Sequence, residues 1–184
     1  MRVAILASGN GTNFEALTKK FQAGEIPGTE ALMFCNHPNA PVVKRAERLG
    51  VPYETFSVKE CGGKDAYEKR LLKVLQDYQI DFIVLSGYLR VVGPTILNEY
   101  PNSIINLHPA LLPSYPGLNS IERAFEDYKQ GKIKETGVTV HFIDAIWIMG
   151  LSLLNRLSQF IQMIRLKRLR QEFMKQNINY SQLR

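Results

Sequence analysis

Six short strand-like runs, most of them apolar and several separated by stretches of helical spacing, constrain this chain more than anything else in its sequence. The runs are residues 2–8 (Arg-Val-Ala-Ile-Leu-Ala-Ser), 31–36, 52–56, 81–85, 103–107 and 136–143. After the first, Gly9-Asn10-Gly11 breaks the run, and Phe14, Leu17 and Phe21 recur at helical spacing up to Gly24, with Thr12 or Asn13 placed to cap the helix. Pro41 to Leu49 reads as a second helix closed by Gly50, and Tyr67, Leu71, Leu75 and Tyr78 mark one face of a longer one. A further helix, Asn119 to Gly131, follows a loop stiffened by Pro109, Pro113 and Pro116. A continuous run such as Phe82-Ile-Val-Leu85 suits a strand covered on both faces. Strands alternating with helices give an α/β fold, a mostly parallel sheet with helices on both faces, and such sheets bind ligands beyond the carboxyl ends of their strands.

The chain has 184 residues, enough for one domain with its own core. With 45% hydrophobic and 22% charged residues, disordered and fibrous classes are excluded. Its most apolar stretch, Ile146 to Leu154, is too short for a membrane span, and Met1-Arg2 leads directly into a strand-like run; a cytoplasmic location and no membrane partner are expected. Cys35 and Cys61 are too few for a disulfide framework and lack metal-site spacing to His37, His108 or His141, so no metal is expected. The net charge of +6 is not a signature of nucleic acid. Residues 151–184 hold seven of the 23 basic residues and one of the 17 acidic ones, leaving 16 of each in the first 150.

Two segments can carry chemistry. In Ser8-Gly9-Asn10-Gly11-Thr12-Asn13, glycines let backbone N–H groups approach an anion at a helix N-terminus, so a phosphate is the natural guest. Position 14 is Phe14 instead of a third glycine and the P-loop Lys-Ser/Thr pair is absent, which disfavours NAD and ATP; an ordinary tight turn is the competing reading. In Ile104-Ile-Asn106-Leu-His108-Pro109, strand alternation sends the Asn106 amide and the His108 imidazole to one side at the carboxyl end. They either serve a reacting carbonyl or merely satisfy neighbouring loop carbonyls. His141 reads as a sheet histidine and His37 as a loop residue.

Together, Ala-Ser-Gly-Asn-Gly-Thr-Asn, Leu-Ser-Gly-Tyr-Leu-Arg, Asn-Leu-His-Pro-Ala-Leu-Leu-Pro-Ser-Tyr-Pro-Gly and Gly-Val-Thr-Val-His-Phe-Ile-Asp resemble the phosphoribosylglycinamide formyltransferase family, over residues 1–145. The resemblance implies a Rossmann-like formyltransferase domain for 1–145 that transfers a formyl group from 10-formyltetrahydrofolate, a cosubstrate, to the amine of 5'-phosphoribosylglycinamide in purine biosynthesis. By the same resemblance, Gly11, Thr12 and Asn13 bind the substrate phosphate; Lys64, Leu89, Arg90, Val91, Val92 and Asn106 form the folate side; and Asn106 and His108 are catalytic. It implies small-molecule partners and a monomer or homodimer. A relative acting on another amine, such as a methionyl-tRNA or sugar formyltransferase, and a catalytically impaired module that binds a phosphoribosyl ligand are the alternatives.

The family's third catalytic group, an aspartate in a Leu/Met-Asp-x-Gly-Pro motif, should stand at position 148, where this chain has Ile148. Reading from the third base of the Ile146 codon through Trp147, Ile148, Met149 and Gly150 gives Leu or Met, then Asp, one variable residue, and Gly. Continued through residues 151–155, the same frame permits Pro-Ile-Ile-Ala-Gln. Residues 146–184 are therefore expected to be an out-of-frame tail and not a separate domain. Leu154, Leu157, Ile161 and Ile164 among Arg and Lys offer the competing reading of a basic amphipathic helix.

Overall fold

A computed structural model describes residues 1–117 and 119–143; position 148 and the basic tail lie outside the described residues. The elements are β1 (Arg2–Ala7), α1 (Thr12–Gln22), β2 (Thr29–Cys35), α2 (Pro41–Leu49), β3 (Tyr53–Thr55), α3 (Lys64–Asp77), β4 (Phe82–Leu85), α4 (Pro94–Leu97), β5 (Ile104–His108), α5 (Ser120–Lys129) and β6 (Thr139–Phe142). They form one six-stranded sheet in the order β3-β2-β1-β4-β5-β6. The pairs β1–β2, β1–β4, β2–β3 and β4–β5 are all parallel. The described residues fall into two compact units, 1–107 with 142–143, and 108–141.

In the first unit, alternation along β1 feeds two cores. Val3, Ile5 and Ala7 pack with Met33 and Cys35 of β2, Phe14 of α1, and Val42, Val43 and Ala46 of α2. Ala4 and Leu6 point the other way, to Leu32 and Phe34 of β2 and to Tyr67, Leu71 and Leu75 of α3. Helices α1 and α2 therefore cover one face and α3 the other, as expected for an apolar run buried on both sides. Each fully buried large aliphatic chain in these layers contributes about 1.5–3 kcal/mol. The chain winds outward from β1 to β3 and then crosses to β4, so the strand order reverses beside β1, the place in sheets of this kind where ligands bind beyond the carboxyl ends of the strands.

One local expectation differs from what forms, and one short helix goes beyond the sequence reading. Neither Thr12 nor Asn13 caps α1: Gly11 does, in the left-handed region at φ 76°, with no side-chain cap bond. Tyr78 is the C-cap of α3, one position past its last helical residue, and packs against the same core as Tyr67, Leu71 and Leu75. The four-residue α4, with Pro94 at its start, is too short to leave a periodic signal.

In the second unit, the Thr139 hydroxyl donates to the Ala110 carbonyl at 2.8 Å and accepts from the Leu112 N–H at 3.0 Å. The Tyr115 hydroxyl donates to Asp127 at 2.9 Å, joining the proline-rich loop to α5.

Candidate active site

The turn after β1 is built from its backbone outward. Gly11 is required on two grounds: its positive φ, and a side-chain carbon there would stand 2.6 Å from Cβ of Val42. The Val42 N–H donates to the Gly9 carbonyl at 3.1 Å. Arg45, also on α2, donates from Nε to the Asn10 carbonyl at 2.7 Å and from Nη2 to Asn10 Oδ1 at 3.0 Å. Its remaining nitrogen pairs with Glu15, which also holds Lys19 at 2.9 Å and Arg48 at 2.7 Å. Lys19 first, then Arg48, pull the Glu15 carboxyl down to about 2 against its partial burial. The turn is thus clamped from α2. The first N–H groups of α1 lack intrahelical acceptors and carry the positive end of the helix dipole, which suits an anion. Thr12 is exposed there, with Gly11 and Asn13 half-buried.

The segment after β4 borders the same strand, β1. The Ser8 N–H donates to the Gly87 carbonyl at 3.1 Å, while its hydroxyl donates to Asn36 Oδ1 at 2.5 Å and accepts the Leu89 N–H at 2.9 Å. Tyr88 shares a 2.5 Å hydroxyl bond with Tyr67, and the Arg90 guanidinium stands 5.7 Å from the Tyr67 ring centroid. Burial pushes the Tyr88 phenol up to about 12 and that of Tyr67 higher still, so both remain neutral. Of the residues expected on the folate side, Leu89 (66% exposed), Val91 (65%) and Arg90 are open to solvent, while Val92 is buried in the α3-side core. Gly93 follows close against Glu68: a Cβ there would lie 2.5 Å from the Glu68 carboxyl carbon, so that side chain would have to move. Glu68 is buried and its Oε1 has no hydrogen-bond partner among the described residues. Lys64 is exposed at the first position of α3, one turn before Tyr67.

Strand β5 carries Asn106 and His108 two places apart, which the pleat places on one side. Asn106 is half-buried and engaged within the protein. His108 is 8% exposed, and its Nε2 lies 2.8 Å from the Tyr115 carbonyl oxygen. A carbonyl only accepts, so Nε2 carries a proton and Nδ1 is the nitrogen left over. The boundary between the units falls between Leu107 and His108, and each side chain is described within its own unit. Among the described residues no cluster of His, Cys, Asp and Glu could hold a metal, and no helix is long and apolar enough to cross a membrane.

Sequence reasoning missed Ser8, Asn36, Arg45 and Tyr67. The rule that singled out Asn106, a polar residue at the carboxyl end of an apolar strand, applies equally to Ser8 after β1, Asn36 after β2 and Ser86 after β4, all of them buried. No such rule reaches Arg45, whose partner Asn10 is 35 positions away.

The formyl transferase family model matches residues 1–178. A phosphoribosylglycinamide formyltransferase of Bacillus subtilis (strain 168) is 37% identical over 143 residues, 78% of this chain and 71% of the relative. One of Escherichia coli (strain K12) is 32% identical over 143 residues, 78% of this chain and 66% of the relative. The solved structure of glycinamide ribonucleotide transformylase 1 from Geobacillus kaustophilus superimposes with a TM-score of 0.72 at 44% identity, covering 78% of this chain and 74% of its own. That of phosphoribosylglycinamide formyltransferase from Bacillus halodurans gives 0.72 at 38% identity, covering 88% and 86%. Matching sequence along nearly the whole chain and matching folds over most of it lead to one conclusion: the chain belongs to the formyl transferase family.

Proposed function

We propose that this chain carries the framework of a phosphoribosylglycinamide formyltransferase, which moves a formyl group from 10-formyltetrahydrofolate to the primary amine of 5'-phosphoribosylglycinamide. The observation that carries the reading is the turn at Gly11, a left-handed glycine cap that no side chain fills, leaving the start of α1 to an anion. Gly11, Thr12 and Asn13 would take the phosphate. The exposed segment Leu89 to Val91, with Val92 seated beneath it and Lys64 at the head of α3, would take the folate.

In the reaction the amine nitrogen bonds to the formyl carbon and gives up one proton, the carbonyl oxygen gains negative charge, and the carbon's bond to the folate nitrogen then breaks as that nitrogen takes up a proton. Asn106 donates its amide N–H to that oxygen, and His108 supplies a proton and positive charge. The Nε2–H of His108 is engaged by the Tyr115 carbonyl, so delivering that proton requires exchanging this bond for one to substrate. In the family an aspartate keeps the histidine charged; here position 148 is Ile148. The out-of-frame tail remains our explanation. Curated relatives align over 143 of the 184 residues, which supports it, although the family model itself matches to residue 178.

The test is formyl transfer to phosphoribosylglycinamide by the chain as given and by a version whose reading frame is restored from residue 146. Turnover only after restoration is expected. Equal turnover in both would remove the need for the aspartate. The substitution at position 148 also favours a second reading, an impaired binding module, which predicts that the ribonucleotide binds without turnover in either version.

A further inference from the structure

One buried hydroxyl joins three loops at the carboxyl ends of three neighbouring strands. Ser8 follows β1, Asn36 follows β2, and Gly87 and Leu89 follow β4. Ser8 and Asn36 are 5% and 3% exposed, so water cannot replace a lost partner cheaply. The Ser8 hydroxyl has one hydrogen to give and gives it to Asn36 Oδ1 at 2.5 Å. That fixes its lone pairs, one of which receives the Leu89 N–H at 2.9 Å. The backbone of the same residue donates to Gly87 at 3.1 Å, closing a ring from Ser8 through Gly87 to Leu89 and back.

Gly9 to Thr12 continues directly from Ser8, and Arg90 to Val92 continues directly from Leu89. Any ligand that immobilises the first turn therefore holds the atom from which the second segment hangs. We infer that Ser8 is a positioning residue that couples the two segments, so that an anion bound at the Gly11 turn orders Leu89 to Val92 and strengthens binding there. The inference rests on the functional reading above, in which the first segment holds phosphate and the second holds the folate. Coupling of this kind needs no displacement: the first ligand removes freedom that the second would otherwise have to remove. It is reciprocal, since linked binding free energies must be equal in both directions.

The experiment follows hydrogen exchange at the Leu89 amide and folic acid binding, each with and without saturating inorganic phosphate, on the full chain. Phosphate is expected to slow Leu89 exchange about tenfold and to tighten folic acid by a similar factor, within the usual range for linked sites. In Ser8→Ala both effects should vanish while phosphate affinity stays within about twofold, a split that a general loss of packing would not produce. Ser8→Thr, which keeps the hydroxyl, should retain the linkage. Should Ser8→Ala melt below the working temperature, Asn36→Ala replaces it, because losing the acceptor frees the hydroxyl to rotate, and the same loss is expected. If wild type binds both ligands without linkage, or a variant lacking the bridge keeps it, the inference is overturned and the functional reading stands. If wild type binds neither ligand, both are overturned.

Discussion

Gly11 is the residue where backbone geometry meets the proposed phosphate chemistry. Its φ of 76° and the 2.6 Å separation that a side-chain carbon would have from Val42 Cβ mean that Gly11→Ala must strain the turn or push α2 away. A loss of about 1–3 kcal/mol is expected, measured by denaturant titration, together with loss of phosphate binding. Arg45 supports the same turn from α2. Arg45→Ala removes two bonds to Asn10, and at roughly 1 kcal/mol each the affinity for inorganic phosphate should fall by about tenfold to thirtyfold while the fold persists. On β5, Asn106→Ala in the frame-restored chain should lower kcat by roughly a hundredfold to a thousandfold, the usual effect of removing one oxyanion donor, and single-turnover kinetics would show it. The glycine turn and the Asn-Leu-His strand end stood out in the sequence because each gathers its proposed chemistry within a few consecutive residues. Ser8, Asn36 and Arg45 did not. Ser8 meets Asn36 across 28 positions and Leu89 across 81, and separations of that size leave no local pattern.

Among the elements, long helices could be read from their period and buried strands from short apolar runs ended by turn residues, and the short connections could not. β1, with 3, 5 and 7 facing one core and 4 and 6 the other, shows no alternation at all in sequence, since both faces are apolar. Its length and the glycines after it are what mark it as a strand. Capping was harder. A side-chain cap by Thr12 or Asn13 would occupy an N–H group that an anion can otherwise take; with Gly11 in the cap, local helix stability gives way to a ligand-accepting end. At α3, Glu68 is buried against Gly93, directly after the segment expected to hold folate. Gly93→Ala would push that carboxylate, the far end of a flexible side chain, out of its buried seat, and a slightly lower melting temperature is expected with weaker folic acid binding.

At the scale of the whole molecule, two carboxyls set opposing responses to pH. Glu15 titrates at about 2 in the folded chain, below its ordinary 4.5, so its contribution is complete above 4.5 and disappears as pH falls toward 2. Burial raises Glu30 to about 7, so the folded chain holds that proton more tightly than the unfolded one, and stability declines as pH rises from 4.5 to 7. Glu30→Gln, which keeps an acceptor for the Thr18 hydroxyl, should raise the melting temperature at pH 8 more than at pH 5. Melting curves at the two values would decide it, and an equal shift would refute the assignment. The strand order has a further consequence for the birth of the protein. β1 leaves the ribosome well before β4, and its β4 flank is closed only when Ile83 arrives opposite Ala4. At ~5–20 residues per second the roughly 80 intervening residues take about 4–16 s, during which a wholly oily ribbon has one side open, the natural foothold for a nascent-chain chaperone.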